Sequence, residues 1–448
     1  MSTVDTNLDE FLDVENELNQ RWPETKLEPS LERIKALAHV LGDPQTSYPV
    51  VQLTGTNGKT STSRMVDALF TRIGLRTGRY TSPHLQLATE RISLDNQPIS
   101  PERYVEVYRD IEPYVAMVDA QSEIRMSKFE VLTGMAYAAF AEAPADVAVV
   151  EVGMGGTWDA TSIVDTRVAV LTPIGVDHTE YLGNRPEDIA VEKSGIIKPG
   201  SVAIVAEQTP EVMRVILERV AEVDAMVARF GSEFGVLTRA VAVGGQMITL
   251  QGLGGVYEDV FLPLHGEHQA KNAALALAAV EAFFGAGPER KIDIEMVREG
   301  FASVITPGRL ERVRSAPNVF VDAAHNPHGA AALAKALESE FGFRKLVAVV
   351  AVMSDKDAEG ILAALEPVVQ ELVITTNSSS RAMDPDVLAG LAVPIFGEDR
   401  FEVRPRLVDA VEEAIHLIED EQSGGGVIIT GSVVTAGEAR ALFGKEPA

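Results

Sequence analysis

Lys59 and Thr60 stand at the mouth of an expected helix in the stretch VVQLTGTNGKTSTSRMVDALF, Val50 to Phe70. The stretch reads as a short apolar strand, a glycine-containing turn and an amphipathic helix. Gly55 and Gly58 let the backbone turn tightly and approach a ligand, and the first amides of the helix point at an anion. With Thr56 and Asn57 between the glycines, this is a candidate phosphate cradle. Lys59 can neutralise β- and γ-phosphates, and the Thr60 hydroxyl can ligate Mg2+. The alternative is a plain βα turn with a solvated lysine. A Gly-Lys-Thr triplet set between strand and helix favours a nucleotide, although Leu53 stands where longer phosphate loops begin with glycine.

Other residues acquire chemistry only in combination. Glu151 ends the run DVAVVEV, at the carboxyl edge where open α/β sheets bind ligands. Ser82 and His178 follow other expected strand ends. Oxygen donors and an imidazole around a hard cation can hold Mg2+ between a triphosphate and a second substrate. Taken singly, His178 reads as a turn histidine and Glu151 as a helix-cap partner. Lys193, beside Glu192, reads as a surface lysine. Arg309 has a planar fork that suits two phosphate oxygens, or else pairs with Glu311. Phe129 offers an aromatic face, and Trp158-Asp159-Ala160 a wall with a polar group. Phe129 fits a core equally well.

These residues need strand ends to hold them, and the chain supplies many. VVQLT, DVAVVEVG, RVAVLTPIG and SVAIVAE are apolar runs without polar alternation, as in central strands of a parallel sheet. The helix after Lys59 carries Met65, Leu69 and Ile73 on one face and stops at Gly74. From Met226 to Leu264 short alternating strands with glycine turns predict a small β-meander. HQAKNAALALAAVEAFFG then reads as an alanine-rich helix ending at Gly285. A Pro-Gly pair in 305–309 breaks the pattern. Beyond it NVFVDAAH, KLVAVVAVM, ELVITTN and GVIITGSV alternate with helical stretches over about 140 residues, the length of a domain. The expected fold is α/β throughout. Residues 1–304 form a P-loop ATPase domain with a mostly parallel sheet plus the meander, 305–309 a linker, and 310–448 a smaller Rossmann-like α/β domain.

Composition narrows the partners. Of 448 residues, 39 are Lys or Arg and 66 Asp or Glu, a formal charge of −27 that repels phosphodiesters and anionic lipid heads. Neither nucleic acid nor membrane is an expected partner. There is no cysteine, so disulfides, zinc–thiolate sites and thiol nucleophiles are excluded. The acidic start MSTVDTNLDEFLDVENEL lacks a basic segment followed by an apolar one, and a cytoplasmic location is expected.

Several further motifs sharpen the reading. GTNGKT is similar to the phosphate loop of the Mur-ligase superfamily of ATP-dependent amide ligases. Thr81-Ser82-Pro83-His84-Leu85, Glu90-Arg91-Ile92, Phe129-Glu130, Glu151-Val152-Gly153-Met154-Gly155-Gly156, Asp159-Ala160-Thr161 and Asp177-His178 resemble blocks of folylpolyglutamate synthase and bacterial dihydrofolate synthase. So do Glu192-Lys193-Ser194-Gly195-Ile196-Ile197-Lys198, His268-Gln269-Ala270-Lys271-Asn272, Pro307-Gly308-Arg309 and Asp322-Ala323-Ala324-His325-Asn326-Pro327-His328. The matches run in order over nearly the whole chain. One departure is Thr157, where the family often has arginine.

The resemblance implies roles. Gly55, Thr56, Asn57, Gly58, Lys59, Thr60, Asn272, Arg309 and Asp322 would contact ATP. Thr60, Ser82, Glu151, His178 and Lys193 would serve two Mg2+ sites, with Lys193 carrying CO2 as a carbamate. Lys59, Glu151, His178 and Lys193 would form the catalytic group. Phe129, Glu130, Trp158, Asp159 and Ala160 would line the pterin side, and His325 and Ser432 the glutamate side. Potassium is a further candidate cofactor, and a monomer is expected. The implied activity joins L-glutamate to dihydropteroate, to a reduced folate, or to both, through an acyl phosphate. Two other classes are kept in view. A cell-wall Mur ligase would carry a UDP-binding domain before the loop, where about 50 residues stand here. A regulatory P-loop ATPase would hydrolyse ATP without glutamate.

Overall fold

The computed structural model describes residues 3–22, 30–177, 179–285, 287, 290–419 and 424–448. Three sheets organise them. The largest contains β1 (Val50–Thr54), β2 (Thr77–Tyr80), β3 (Ile92–Leu94), β4 (Gln97–Pro98), β5 (Val147–Glu151), β6 (Thr166–Leu171), β7 (Val202–Val205) and β8 (Met226–Arg229). Their order is β4-β3-β2-β5-β1-β6-β7-β8. From β2 to β8 every pairing is parallel, while β3 and β4 add an antiparallel edge.

A three-stranded antiparallel sheet follows, from β9 (Gly235–Ala242), β10 (Gly245–Gln251) and β11 (Val256–Leu262). The meander therefore starts later than the sequence texture suggests. Met226–Arg229 keeps a strand of the main sheet, because Ala203, Ile204 and Val205 of β7 offer it a free parallel edge.

The third sheet contains β12 (Glu311–Ser315), β13 (Asn318–Val321), β14 (Lys345–Val350), β15 (Glu371–Ile374), β16 (Phe401–Val403) and β17 (Gly425–Thr430), in the order β12-β13-β17-β14-β15-β16. It is parallel except for β12 against β13. The strands β3, β4, β12 and β16 escaped the sequence reading, and β2 was expected only as a strand end before Ser82. They are short or polar, as in TGRY and ERVRS, and owe their pairing to neighbours rather than to their own pattern.

The core explains why β1 can present its loop rigidly. All five residues of Val50–Thr54 are buried, flanked in register by β5 and β6. The helix Lys59–Ile73 is buried from Ser61 through Phe70 and ends at Gly74, whose φ of 102° is the left-handed cap. It is covered by the alanine-rich helix Glu267–Phe283, whose middle, Ala273 to Val280, is apolar on all sides and buried. Small side chains permit that close approach, and Phe70 packs edge-on to Phe283 at 4.9 Å. Each such buried aromatic contributes about 1.5–3 kcal/mol. Beneath the site, Arg79 and Asp67 form a fully buried ion pair at 2.8 Å. Among the described residues no helix is long and apolar enough to cross a membrane.

Candidate active site

The loop between β1 and the helix Lys59–Ile73 lies at the carboxyl edge of the main sheet, where parallel strands open a crevice. Gly58 has a φ of 91°, and a side chain there would collide with Asn272 Oδ1. Only glycine satisfies both conditions. Asn272 is thus pressed against the loop from the alanine-rich helix, its Nδ2 bonded to Gln269 Oε1 at 3.1 Å. Thr56 is locked on the other side: its Oγ1 donates to Gly175 O and accepts from Gly175 N, each at 2.9 Å.

Two lysines converge on the loop. Lys59 Nζ donates to Gly55 O at 3.0 Å and Thr56 O at 3.3 Å. Lys193 Nζ donates to the same Gly55 O at 3.0 Å from the end of the helix Pro186–Lys193. Lys193 is therefore buried, at 5% exposure, and not a surface residue. Burial, with Lys59 nearby, pushes its ammonium down to about 7. Burial also lowers Lys59, partly opposed by Glu151.

Glu151 ends β5 in register with Leu53 and is 1% exposed. Thr60 Oγ1 lies 3.1 Å from both of its carboxylate oxygens. Burial raises the Glu151 carboxyl, and Lys59 works against that shift. Tyr80 of β2 is in register with Val150, so Ser82 leaves the sheet beside Glu151. His178 lies outside the described residues. Among the described residues no cluster of three or more His, Asp or Glu forms a ready-made metal cage. The donor set here is a hydroxyl and a carboxylate at the phosphate loop, and that pair of hard oxygens suits magnesium.

The next loop is built around Asp159 and Glu192. Asp159 Oδ2 accepts from Met154 N at 2.9 Å and Oδ1 from Thr161 N at 2.9 Å, so the carboxylate is used to shape its own turn. Burial raises it. Glu192 accepts from Thr157 N at 2.8 Å and Trp158 N at 3.3 Å, while Thr157 Oγ1 donates to Glu192 O at 3.2 Å. Thr157 thus ties this loop to the segment bearing Lys193. Phe129 is half-buried near Tyr80, ring centres 6.0 Å apart, and fills the space that a side chain at Gly153 would need. Trp158 is half-buried and Ala160 buried beside it. Glu130 is committed elsewhere: it closes a capping box with Ser127 and receives Arg33 Nε at 3.0 and 3.2 Å.

The C-terminal sheet faces this crevice. Asp322, just past β13, accepts from Leu310 N and Ala324 N, both at 2.8 Å, which sets the turn beside Arg309. Burial raises Asp322 while Arg309 lowers it. Arg309 donates to its neighbour Gly308 O at 3.1 Å and also lines a cavity of about 490 Å3 with Thr306, His265 and Phe341. His325 Nδ1 meets Ala323 O at 2.9 Å, and burial, with Lys356 close by, pushes the imidazole down to about 4. Ser432 caps the helix Val433–Leu442 and accepts from Thr435 N at 3.0 Å and Asn377 Nδ2 at 3.3 Å.

The sequence reading assigned no role to Lys356. Its Nζ donates to Asp177 Oδ1 at 2.6 Å, with both side chains about one-tenth exposed. A charged turn, SDKD, directly after the apolar run KLVAVVAVM was the available signal, since that position lies just beyond the carboxyl edge of the sheet.

Comparison with known proteins gives this geometry its class. Residues 53–280 match the Mur ligase middle domain, and residues 308–433 match the Mur ligase glutamate ligase domain. The chain is 58% identical to the dihydrofolate synthase/folylpolyglutamate synthase of Mycobacterium tuberculosis, over 98% of this chain and 94% of that protein. It is 36% identical to the Escherichia coli protein described in the same words, over 76% of each. It superposes on the Mycobacterium tuberculosis folylpolyglutamate synthase complexed with ADP with a TM-score of 0.95, at 56% identity, covering 99% of this chain and 100% of that one. E. coli FolC in complex with DHPP and ADP gives 0.84 at 30% identity, covering 97% of each. Fold and matches together define a Mur-type ligase. Within that superfamily, the chain belongs to the folylpolyglutamate synthase/dihydrofolate synthase family.

Proposed function

We infer that the protein is an ATP-dependent ligase that joins L-glutamate to a folate-type carboxylate. A carboxylate is a poor electrophile near neutral pH, and phosphorylation makes it an acyl phosphate with a good leaving group. The glutamate amine then attacks the acyl carbon, a tetrahedral intermediate forms and phosphate leaves with the C–O electron pair. The observation that carries the reading is the phosphate loop whose Thr60 meets the strand-end carboxylate Glu151, in a chain of this family.

The chain's own groups have distinct tasks. The loop amides and Lys59 hold the transferred phosphoryl group by position and charge, which is most of what phosphoryl transfer requires. Thr60 and Glu151, with Ser82 and His178, would hold Mg2+, and the ion when bound supplies charge neutralisation at the phosphate oxygens. Asn272, Arg309 and Asp322 serve the nucleotide from the second side. Phe129, Trp158, Asp159 and Ala160 line the pterin side, and Glu130 contributes by shaping the helix that carries Phe129. His325, Ser432 and the newly found cation Lys356 serve the incoming glutamate. We assign these tasks to two domains, 1–304 and 310–448, joined by 305–309.

Lys193 is a candidate for carbamylation. Carbamate formation takes a neutral amine and CO2 to a two-oxygen anion and releases a proton. Supporting it, the amine is buried and held at about 7. The anion would serve the second Mg2+ site. Replacing potassium by sodium in the assay tests whether potassium takes part.

The decisive experiment supplies ATP, glutamate and either dihydropteroate or tetrahydrofolate, and follows ADP and amide product. Glutamate-dependent product from both supports a bifunctional enzyme. ATP hydrolysis indifferent to glutamate would leave the regulatory ATPase reading instead. We propose a cytoplasmic monomer, checked by its hydrodynamic mass.

A further inference from the structure

One buried amide spans the junction between the two parallel sheets. Asn326 caps the helix Pro327–Glu340, its Oδ1 accepting from Gly329 N at 2.8 Å. That cap fixes the amide: Oδ1 faces the helix, so Nδ2 must face away from it. Nδ2 donates to Asn57 Oδ1 at 3.2 Å and Asp177 Oδ2 at 3.3 Å. Asn57 Nδ2 returns a bond to Asn326 Oδ1 at 3.3 Å and lies 3.0 Å from His328 Nδ1. Asn326 is 3% exposed, with both its donor and its acceptor atoms engaged.

The partners give this geometry its meaning. Asn57 is the central residue of the phosphate loop. Asp177 follows β6 in the same sheet and also receives Lys356 Nζ at 2.6 Å. Asn326 adjoins His325, and it touches the phosphate loop without reaching into its cradle. A side chain of that loop is therefore committed to the opposite sheet, although a phosphate cradle needs only backbone amides there.

We propose that Asn326 is a positioning residue for the glutamate half of the reaction. The reciprocal Asn57–Asn326 amide pair, braced by Asp177, sets the spacing between the phosphate loop and the edge that carries His325 and Lys356. A nucleotide that stills the loop also stills Asn57, and through it the glutamate edge. Nucleotide occupancy and glutamate affinity are thereby coupled, and the coupling must run both ways. This inference rests on the ligase reading above.

Asn326→Asp separates the two functions of the side chain. Aspartate caps a helix as well as asparagine, but it has no donor for Asn57 and sets a like charge against Asp177. The new buried like charge should lower the unfolding midpoint by several degrees while circular dichroism remains that of a folded chain. The value of kcat/KM for glutamate should fall at least about tenfold, while affinity for ATP changes less than about threefold. Asn57→Ala should lower glutamate kcat/KM likewise, and the double variant should be no worse than the poorer single by more than about threefold. With ATP present, amide hydrogen exchange should rise in both 55–58 and 353–357 in Asn326→Asp.

Unchanged glutamate kinetics in Asn326→Asp, or losses that multiply in the double variant, would overturn the proposal. If the wild type shows no glutamate-dependent turnover, the ligase reading fails instead. Exchange then decides the amide pair alone: no increase on either side of the junction removes it.

Discussion

Two carboxyl edges meet at the active site, and they use their polar residues differently. On the main sheet, charged groups are buried against one another and against bare backbone: Lys59 and Lys193 share Gly55 O, and Glu151 meets Thr60. On the C-terminal sheet the polar residues are mostly turn-formers and caps. Asp322 shapes a turn, and Asn326 and Ser432 start helices. The first arrangement holds charge where it must not move, as phosphoryl transfer requires. The second keeps neutral or paired groups at the edge to which the proposed function assigns the incoming glutamate. In the proposed function, phosphoryl handling and glutamate binding are thus divided between the sheets.

Removing charge from the first edge should cost most. Lys59→Ala should lower kcat on the order of 10³-fold with a folded protein by circular dichroism. Glutamate-dependent ADP formation measures it, and substantial retained turnover would break the comparison. Glu151→Gln should follow at roughly 10²-fold in kcat, with a higher Mg2+ requirement in a metal titration. An unchanged Mg2+ dependence would remove Glu151 from the metal site.

A third test sharpens the contrast through pH. Lys193 titrates at about 7 in the folded chain against an ordinary 10.5. Between those values the unfolded chain binds more protons, so stability rises with pH through that window and the gain is lost as pH falls through about 7. Denaturant midpoints in CO2-free buffer should show that rise in wild type and lose it in Lys193→Met. His325, at about 4 against an ordinary 6.5, adds nothing to that window. A slope unaffected by the substitution would place the titration elsewhere.

The smallest effect belongs to the second edge. Ser432→Ala removes a cap and should cost about 1 kcal/mol of stability, read from denaturation. Its kinetic effect should fall on KM for glutamate rather than on kcat. A kcat loss as large as that of Lys59→Ala would end the division of labour between the sheets.

Much of this site was legible as local pattern. Lys59 and Thr60 announce themselves because strand, loop and helix are contiguous. Glu151 marks a strand's carboxyl edge because it ends an apolar run, but singly it read as a helix-cap partner and only the resemblance implied a metal role. Lys193 was not legible by its own chemistry. Its surroundings alone suggested a surface position, and only its approach to Gly55, 138 residues away in sequence, makes it a buried amine. Glu130 was read as a substrate contact, yet in the fold its carboxylate is taken by Ser127 and Arg33. Polar edge strands such as Glu311–Ser315 were missed because their pairing comes from a neighbour, and a short polar segment carries no periodic signature.

By itself the sequence determined the α/β class, the phosphate loop and the ordered motifs, since strand burial, helix capping and glycine turns act within a few residues. Tertiary structure alone decided which groups face one another: Asn57 with Asn326, Lys356 with Asp177, Lys193 with Gly55. Those pairings join residues more than 100 positions apart. The first two exist because two sheets, each folded by its own local rules, bring their carboxyl edges together, and the third because a crossover helix of the main sheet returns to its phosphate loop; no local pattern encodes those distances.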